Sequence, residues 1–346
     1  MTDGLEFRAG ERWLIAIPHP DDETVATGGL IQQLIAAGVT LRVLVATDGD
    51  NNPWPQRWLE RRWRIDGEAR ARWGRRRRDE ARAALAVLGV GASAIRFFGW
   101  PDQGLTDRLM DDALAEELLL AEIGEFRPSA IVAPALSDRH PDHSALRILV
   151  ELALVRAGLQ DCRKLDYVVH GRLPDGGSRI LPLAADELQT KQRALQAHAT
   201  QLALSRRRMQ AICDRPERYA LETRPPSTAA PGHSIAWTMP WSRRSRLVHR
   251  HELLLVLAHG GRIVRIRRPL DPHSGIGSIT IESDPLPPVQ VNIEVLPSAL
   301  RIELNAPIDL QLIFAKIDRK SPRLVIYDFH GWAKIADSSP RDFEAG

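Results

Sequence analysis

The sequence predicts an α/β protein: a Rossmann-like, mostly parallel sheet with helices on both faces, followed by a smaller C-terminal β-rich domain. Three observations carry this expectation. Up to about residue 210, short apolar runs of strand length alternate with longer segments of helical period. The run at 39–47 (VTLRVLVAT) is almost continuously Val and Leu, which suits an interior parallel strand. After Gly260-Gly261, apolar residues fall mainly at alternate positions between proline, glycine and aspartate turns.

The first strand spans 12–18 and stops at Pro18, running straight into His19-Pro20-Asp21-Asp22-Glu23. A helix over 24–37 follows and closes on Gly38, as a C-terminal glycine cap does. In open α/β sheets this strand-to-helix turn is where ligands bind. Three successive carboxylates repel one another unless a positive group separates them, and a metal ion is the simplest candidate. The second strand, 39–47, leads into the polar turn Asp48-Gly49-Asp50-Asn51-Asn52-Pro53.

Residues 54–78 interleave Trp54, Trp58, Trp63 and Trp73 with arginines, ending in Arg75-Arg76-Arg77-Arg78. The expectation is a surface helical insertion whose tryptophans pack down while its arginines face water. Recognition of a phosphate or another anion in a small substrate is the alternative. Nucleic acid is disfavoured because Glu60, Asp66, Glu68, Asp79 and Glu80 dilute the charge. A helix over 77–88, rich in Ala, Leu, Arg and Glu, closes at Gly89. The third strand, 94–98, precedes a turn that carries Asp102. A helix over 108–126 and a fourth strand at 130–133 lead to His140-Pro141-Asp142-His143, which opens a long helix to about 159. A fifth strand is expected at 167–170, and one further helix at 185–208 carries Lys191, His198 and Gln201. Prolines punctuate 212–247, and a short apolar element follows at 251–258. Strands then recur to about 335, with one expected at 325–327. The domain boundaries expected are 1–211 for the catalytic unit, 212–260 for a covering or linking segment, and 261–346 for the β-rich domain and a short tail.

Composition sets the outer bounds. A hydrophobic content of 44% with 26% charged residues is ordinary for a soluble globular chain, and a net charge of +3 leaves the position of charge more telling than its sum. Cys162 and Cys213 stand in no metal-ligand or redox spacing, which suits a reducing compartment. The N-terminus has no apolar core of signal-peptide length and no apolar run reaches membrane-span length, so the expectation is a soluble, cytoplasmic protein.

Two histidine–carboxylate clusters, His19-x-Asp21-Asp22 and His140-x-Asp142-His143, each follow an apolar strand and precede a helix. In a parallel sheet such turns share one edge, so the clusters can meet. Two histidines and a carboxylate are an ordinary ligand set for catalytic zinc with a position open for water. The surplus groups are then available as base and acid.

Pro18-His19-Pro20-Asp21-Asp22-Glu23 paired with His140-Pro141-Asp142-His143 resembles the LmbE-like zinc-dependent N-deacetylases, the family of the phosphatidylinositol-glycan and mycothiol-pathway deacetylases, over roughly residues 10–205. The resemblance implies His19, Asp22 and His143 as metal ligands and Asp21 as the general base. It implies His140 as oxyanion stabiliser or general acid, and Asp142 as the carboxylate that orients His140. Arg77, Asp102 and Asp48 are implied as substrate contacts, and Glu23 as a support in the helix's first turn. Lys191, His198 and Gln201 fall on a late helix that closes the site in the family, or else on ordinary helix surface. The implied cofactor is Zn2+, with Fe2+ or another divalent ion as the alternative. The implied activity is removal of the N-acetyl group from an N-acetyl amino sugar or its conjugate, an anionic conjugate included. The alternative is a metal-dependent amidase acting on a non-sugar N-acylated metabolite. Gln103 after Asp102, the insert at 54–78 and the C-terminal β-domain depart from the smaller family members.

Overall fold

The computed structural model describes residues 5–173, 177–221, 234–273, 276–283, 286–305, 310–320, 327–328 and 331–335. The chain divides into two units: Met1–Leu109 with Ala113–Glu222, and Met110–Asp112 with Thr223–Gly346.

In chain order the first unit runs β1 (Arg12–Ile17), α1 (Asp22–Val25), α2 (Gly28–Ala36), β2 (Thr40–Thr47), α3 (Pro53–Glu60) and α4 (Gly67–Val87). It continues through β3 (Ile95–Trp100), α5 (Leu105–Asp111), α6 (Ala113–Phe126), β4 (Ala130–Pro134), α7 (Pro141–Arg156), β5 (Arg163–Tyr167), β6 (Ser178–Leu181), α8 (Ala185–Gln196), α9 (Ala199–Cys213) and β7 (Glu217–Leu221). The strands form one sheet in the order β3-β2-β1-β4-β5-β7-β6. The pairs from β3 to β5 are parallel, whereas β7 is antiparallel to both β5 and β6. Apolar residues on both faces drive this sheet inside: Trp13, Leu14, Ile15, Ala16 and Ile17 of β1 are all fully buried. One face packs with Leu30, Ile31 and Leu34 of α2 and Leu85 of α4.

The order of the strands decides where the chemistry falls. β1 pairs with β2 on one side and β4 on the other, so the direction of winding reverses between β1 and β4. The turns after these two strands therefore emerge side by side at the switch point, where open α/β sheets bind ligands. They carry the two histidine–carboxylate clusters.

Several expected elements differ in detail. The helix expected over 24–37 is two helices, α1 and α2, because Asp22 starts α1 at once and the chain breaks before Gly28-Gly29. At Gly29 a Cβ would come within 2.3 Å of Leu183 Cδ2, so a larger residue there would have to displace that side chain. The N-terminus of α2 is capped from afar by Glu217, which accepts from Gly29 N (2.7 Å) and Leu30 N (3.0 Å). Lys191 Nζ, 2.7 Å from Glu217 Oε1 and fully buried, balances that carboxylate. The late helix is also two, α8 and α9, broken at Ala197-His198, where Glu80 accepts from Thr200 N and caps α9. The fifth strand lies at Arg163–Tyr167, earlier than expected, because the backbone after it is drawn into bonds with Asp138. The helix expected to begin at 77 is the second half of the 21-residue α4.

The insert at 54–78 is α3 plus the first half of α4, and the expected packing of its tryptophans holds only for Trp73. Trp54, Trp58 and Trp63 are 57%, 67% and 78% exposed. Trp54 and Trp58 lie on the side of α3 away from its buried Pro55 and Gln56, and Trp63 lies on the loop beyond.

The second unit contains β8 (Ser234–Pro240), α10 (Arg243–Val248), β9 (Arg250–His259), β10 (Arg262–Leu270), β11 (Ile276–Ser283), β12 (Leu286–Val295), β13 (Ala299–Asn305), β14 (Leu312–Lys320) and β15 (Ala333–Lys334). Two four-stranded antiparallel sheets, β10-β9-β14-β15 and β11-β12-β13-β8, share one core that includes Trp237, Leu255, Val291, Ile302 and Ile313. Alternation is plain in β8, where every second side chain is buried. The stretch 212–260 is thus divided: β7 completes the first sheet, while β8 and β9 belong to the β-rich unit. The strand expected at 325–327 lies largely outside the described residues. No helix among the described residues is long and apolar enough to cross a membrane.

Candidate metal centre and active site

His19 ends the turn after β1, Asp22 opens α1, and His143 stands in the first turn of α7. Their inner atoms form a nearly equilateral triangle. His19 Nδ1 to Asp22 Oδ2, His143 Nε2 to Asp22 Oδ2 and His143 Nε2 to His19 Nδ1 are each 3.3 Å. In tetrahedral coordination with bonds of about 2.0–2.1 Å, neighbouring ligand atoms stand roughly 3.3–3.4 Å apart. The three atoms therefore fit one face of a tetrahedral cation site. A looser grouping takes one atom from each of His19, His140 and His143, within 4.8 Å of one another.

The outer nitrogens of both imidazoles meet carboxylates. His143 Nδ1 lies 3.0 Å from Asp138 Oδ2, and His19 Nε2 lies 3.2 Å from Asp102 Oδ1 and 3.3 Å from Asp142 Oδ2. Those carboxylates hold the ring protons on the outer nitrogens, which leaves the inner lone pairs aimed at the shared space. Burial opposes charge on each ring, yet the carboxylates win. His143 is raised to about 9, and His19, bonded to Asp102, Asp142 and Asp22, is raised well above the usual histidine range. Asp22 is buried, which favours its neutral form, but His143 and His19 hold it well below the usual carboxylate range. The surroundings thus favour about two positive charges here, met equally by two protons or by one divalent ion.

Asp21 stands beside the triangle, one residue before Asp22. Its backbone has φ 135° and ψ −30°, a region that non-glycine residues avoid at a cost of about 1–3 kcal/mol. Two contacts hold it. Asp21 N donates to Glu23 Oε2 at 2.8 Å, and Arg77 Nη2 lies 3.0 Å from Asp21 Oδ2. Glu23 is in turn fixed by His198 Nε2 at 2.7 Å and by Thr24 Oγ1 at 2.8 Å, all fully buried. Burial pushes the Asp21 carboxyl up to about 7; Arg77 pulls it down while Asp22 pushes it up.

His140 caps α7. Its Nδ1 accepts from Asp142 N at 3.2 Å, so in the neutral ring the proton belongs on Nε2. Burial and the neighbouring His19 and His143 hold it well below the usual histidine range, which keeps it neutral. Its ring centre is 4.6 Å from that of His19 and 5.1 Å from that of His143.

His19, Asp21, Asp22, His140, Asp142 and His143 therefore come together as expected from the two motifs. Other expected contacts differ. The Asp142 carboxylate turns away from His140 and accepts from Gln103 N (2.6 Å) and Leu105 N (3.0 Å) while facing His19. It sits at the N-terminus of α7, opposite the turn that ends β3, and that turn's free amides claim it. Arg77 is buried and directed at Asp21 and at the carbonyls of Gly49 and Pro20. Asp102 faces His19 and accepts from Asn51 N at 3.1 Å. Asp48 is bound by Arg78 Nε at 3.3 Å. Lys191 and His198 are interior groups, whereas the Gln201 side chain donates to its neighbour Thr200 Oγ1. The sequence reading did not single out Asp138, which also accepts from the amides of His140, Val169 and His170. Its position two residues before His140 is the only signal. His170 was likewise passed over; its ring centre is 5.4 Å from that of His143.

The parallel sheet thus gathers a His–Asp–His triangle and a strained aspartate at its switch point, a candidate cation site beside a carboxylate. The family model described as PIG-L, GlcNAc-PI de-N-acetylase, matches residues 14–154. A 1D-myo-inositol 2-acetamido-2-deoxy-alpha-D-glucopyranoside deacetylase of Mycobacterium sp. (strain KMS) is 29% identical over 237 residues, 56% of this chain and 75% of that protein. The enzyme of the same description from Mycobacterium sp. (strain JLS) is 34% identical over 164 residues, and there the chain spans only 52% of the relative's length. Among solved structures, N,N'-diacetylchitobiose deacetylase from Pyrococcus horikoshii aligns with a TM-score of 0.45 at 18% identity, covering 61% of this chain and 83% of that one.

Proposed function

We propose that the chain is a divalent-metal-dependent N-deacetylase that hydrolyses the acetamide of an N-acetylglucosamine-type conjugate, releasing acetate and a free amine. The observation that carries this reading is the 3.3 Å triangle of His19, Asp22 and His143 with Asp21 at its side. These three residues would hold the ion, zinc or another divalent metal such as iron(II). When bound, the ion supplies Lewis acidity, acidifying water and polarising the acetamide carbonyl.

The chain's own residues do the rest. Asp21 accepts a proton from the attacking water; its carboxyl, raised by burial and held by Arg77, is matched to neutral pH. Glu23 and His198 fix the peptide of Asp21, so the carboxylate is positioned before substrate arrives. His140, neutral and protonated on Nε2, donates to the carbonyl oxygen as negative charge grows there. The proton taken by Asp21 is then available to the departing nitrogen. The mycobacterial relatives make an inositol glycoside of N-acetylglucosamine the first substrate to try.

Acetate release tests the reading across N-acetylglucosaminyl-inositol, N-acetyl hexosamines and non-sugar acetamides, with protein as purified, stripped by chelator and reloaded with zinc. Release should be confined to the sugar substrates, vanish on stripping and return on reloading. Preferred cleavage of non-sugar acetamides would move the assignment to a general amidase, and undiminished activity in metal-free protein would sink it.

A further inference from the structure

Apart from Arg77, the tryptophan- and arginine-rich stretch has no part in that chemistry, although it begins at the site's edge: Asn51, two residues before α3, donates its N–H to Asp102. Three tryptophans within ten residues are more than half exposed, and Leu59 between them is 39% exposed. Single exposed apolar residues are ordinary, but a cluster of this size marks a binding face. Trp54 and Trp58 are one helical turn apart and share a side of α3. The Arg57 guanidinium lies 4.9 Å from the Trp54 ring and 5.1 Å from the Trp63 ring, joining the two into one surface.

The charge around these rings is specific in its placement. Along α4, Arg70, Arg72, Arg76, Arg77 and Arg78 each pair with a carboxylate. Arg61, Arg62 and Arg64 are exposed and make no ion pair among the described residues. Among the described arginines of α4 only Arg75 is exposed without an ion pair, so the unpaired positive charge gathers at the tryptophan cluster and forms no continuous track along the helix for a nucleic-acid backbone.

We propose that this face docks peripherally on a lipid bilayer bearing anionic headgroups. Indole rings favour the boundary between headgroups and acyl chains, where an apolar body and a polar N–H are both satisfied. Arginines at the same level are drawn to the negative surface and match phosphate geometry. Neither feature alone would suffice: a tryptophan cluster without charge would not discriminate among lipids, and exposed arginines without apolar anchors would bind and release freely with salt.

The test is co-sedimentation of the full chain with neutral phosphatidylcholine vesicles and with vesicles that also contain phosphatidylglycerol. Partitioning should require phosphatidylglycerol and weaken with salt. It should fall by at least about tenfold both in combined Trp54→Ala, Trp58→Ala, Trp63→Ala and in combined Arg61→Glu, Arg62→Glu, Arg64→Glu. Hydrolysis of a water-soluble substrate should be unchanged in both variants. Quenching of wild-type tryptophan emission by lipids brominated in their acyl chains reads insertion without any substitution. The proposal is overturned by absence of partitioning, by equal partitioning into neutral vesicles, by variants that partition like the wild type, by absence of quenching, or by salt-sensitive binding of duplex DNA without vesicle binding.

Discussion

Asp21 is held in a backbone conformation that its side chain disfavours, between an arginine and a buried glutamate. Arg77 lowers the pKa of Asp21, so its removal should raise it. A base works only when deprotonated, so activity rises with pH through that pKa. Arg77→Ala should therefore move the acidic limb of the pH–rate profile upward, while a bound divalent ion moves the limb of both proteins downward. Profiles of kcat/KM against pH for metal-loaded wild type and variant check this, and superimposable acidic limbs would remove Arg77 from its positioning role. His140→Ala should lower kcat by about 10²–10³-fold if the ring serves the oxyanion, with a smaller change in KM. Asp138→Asn should weaken metal binding by about 10–100-fold, measured by competition with a chromophoric chelator, because it loosens the proton that orients His143. The His–Asp–His triangle was legible in the sequence because its members lie in two short motifs, each at the end of an apolar strand. Asp138 was not legible. One aspartate among many declares itself only through amides brought to it by the segment after β5. The direction of the Asp142 carboxylate was hidden for the same reason, since the turn that claims it lies far away in sequence.

At the scale of elements, β1 and β4 could be read from composition, and their adjacency followed once the sheet was taken as parallel. The breaks in the early and late helices could not. Helical period continues across both, and what decides them is tertiary: Gly29 lies against Leu183, and the N-termini of α2 and α9 are satisfied by Glu217 and Glu80. The Lys191–Glu217 pair is fully interior, so removing one partner strands a buried charge. Glu217→Ala should destabilise the first unit by about 3–5 kcal/mol, read from urea unfolding followed by circular dichroism. A loss below about 1 kcal/mol would show that water replaces the carboxylate and that the pair matters little to α2.

At the scale of the whole molecule, alternation in the sequence foretold the β-rich unit, but its boundary was misplaced because β8 and β9 lie in a stretch dominated by prolines and loop residues. Exposure of Trp54, Trp58 and Trp63 was likewise invisible, since an indole in a sequence is most economically assigned to a core. What the molecule does depends on whether a strained aspartate beside a His–Asp–His triangle performs the proton chemistry of amide hydrolysis. The most direct measurement is acetate release by metal-matched wild type and Asp21→Asn on N-acetylglucosaminyl-inositol. The variant should keep one divalent ion per chain and lose about 10²–10⁴-fold in kcat. Wild-type turnover by a metal-loaded Asp21→Asn protein would contradict the assignment.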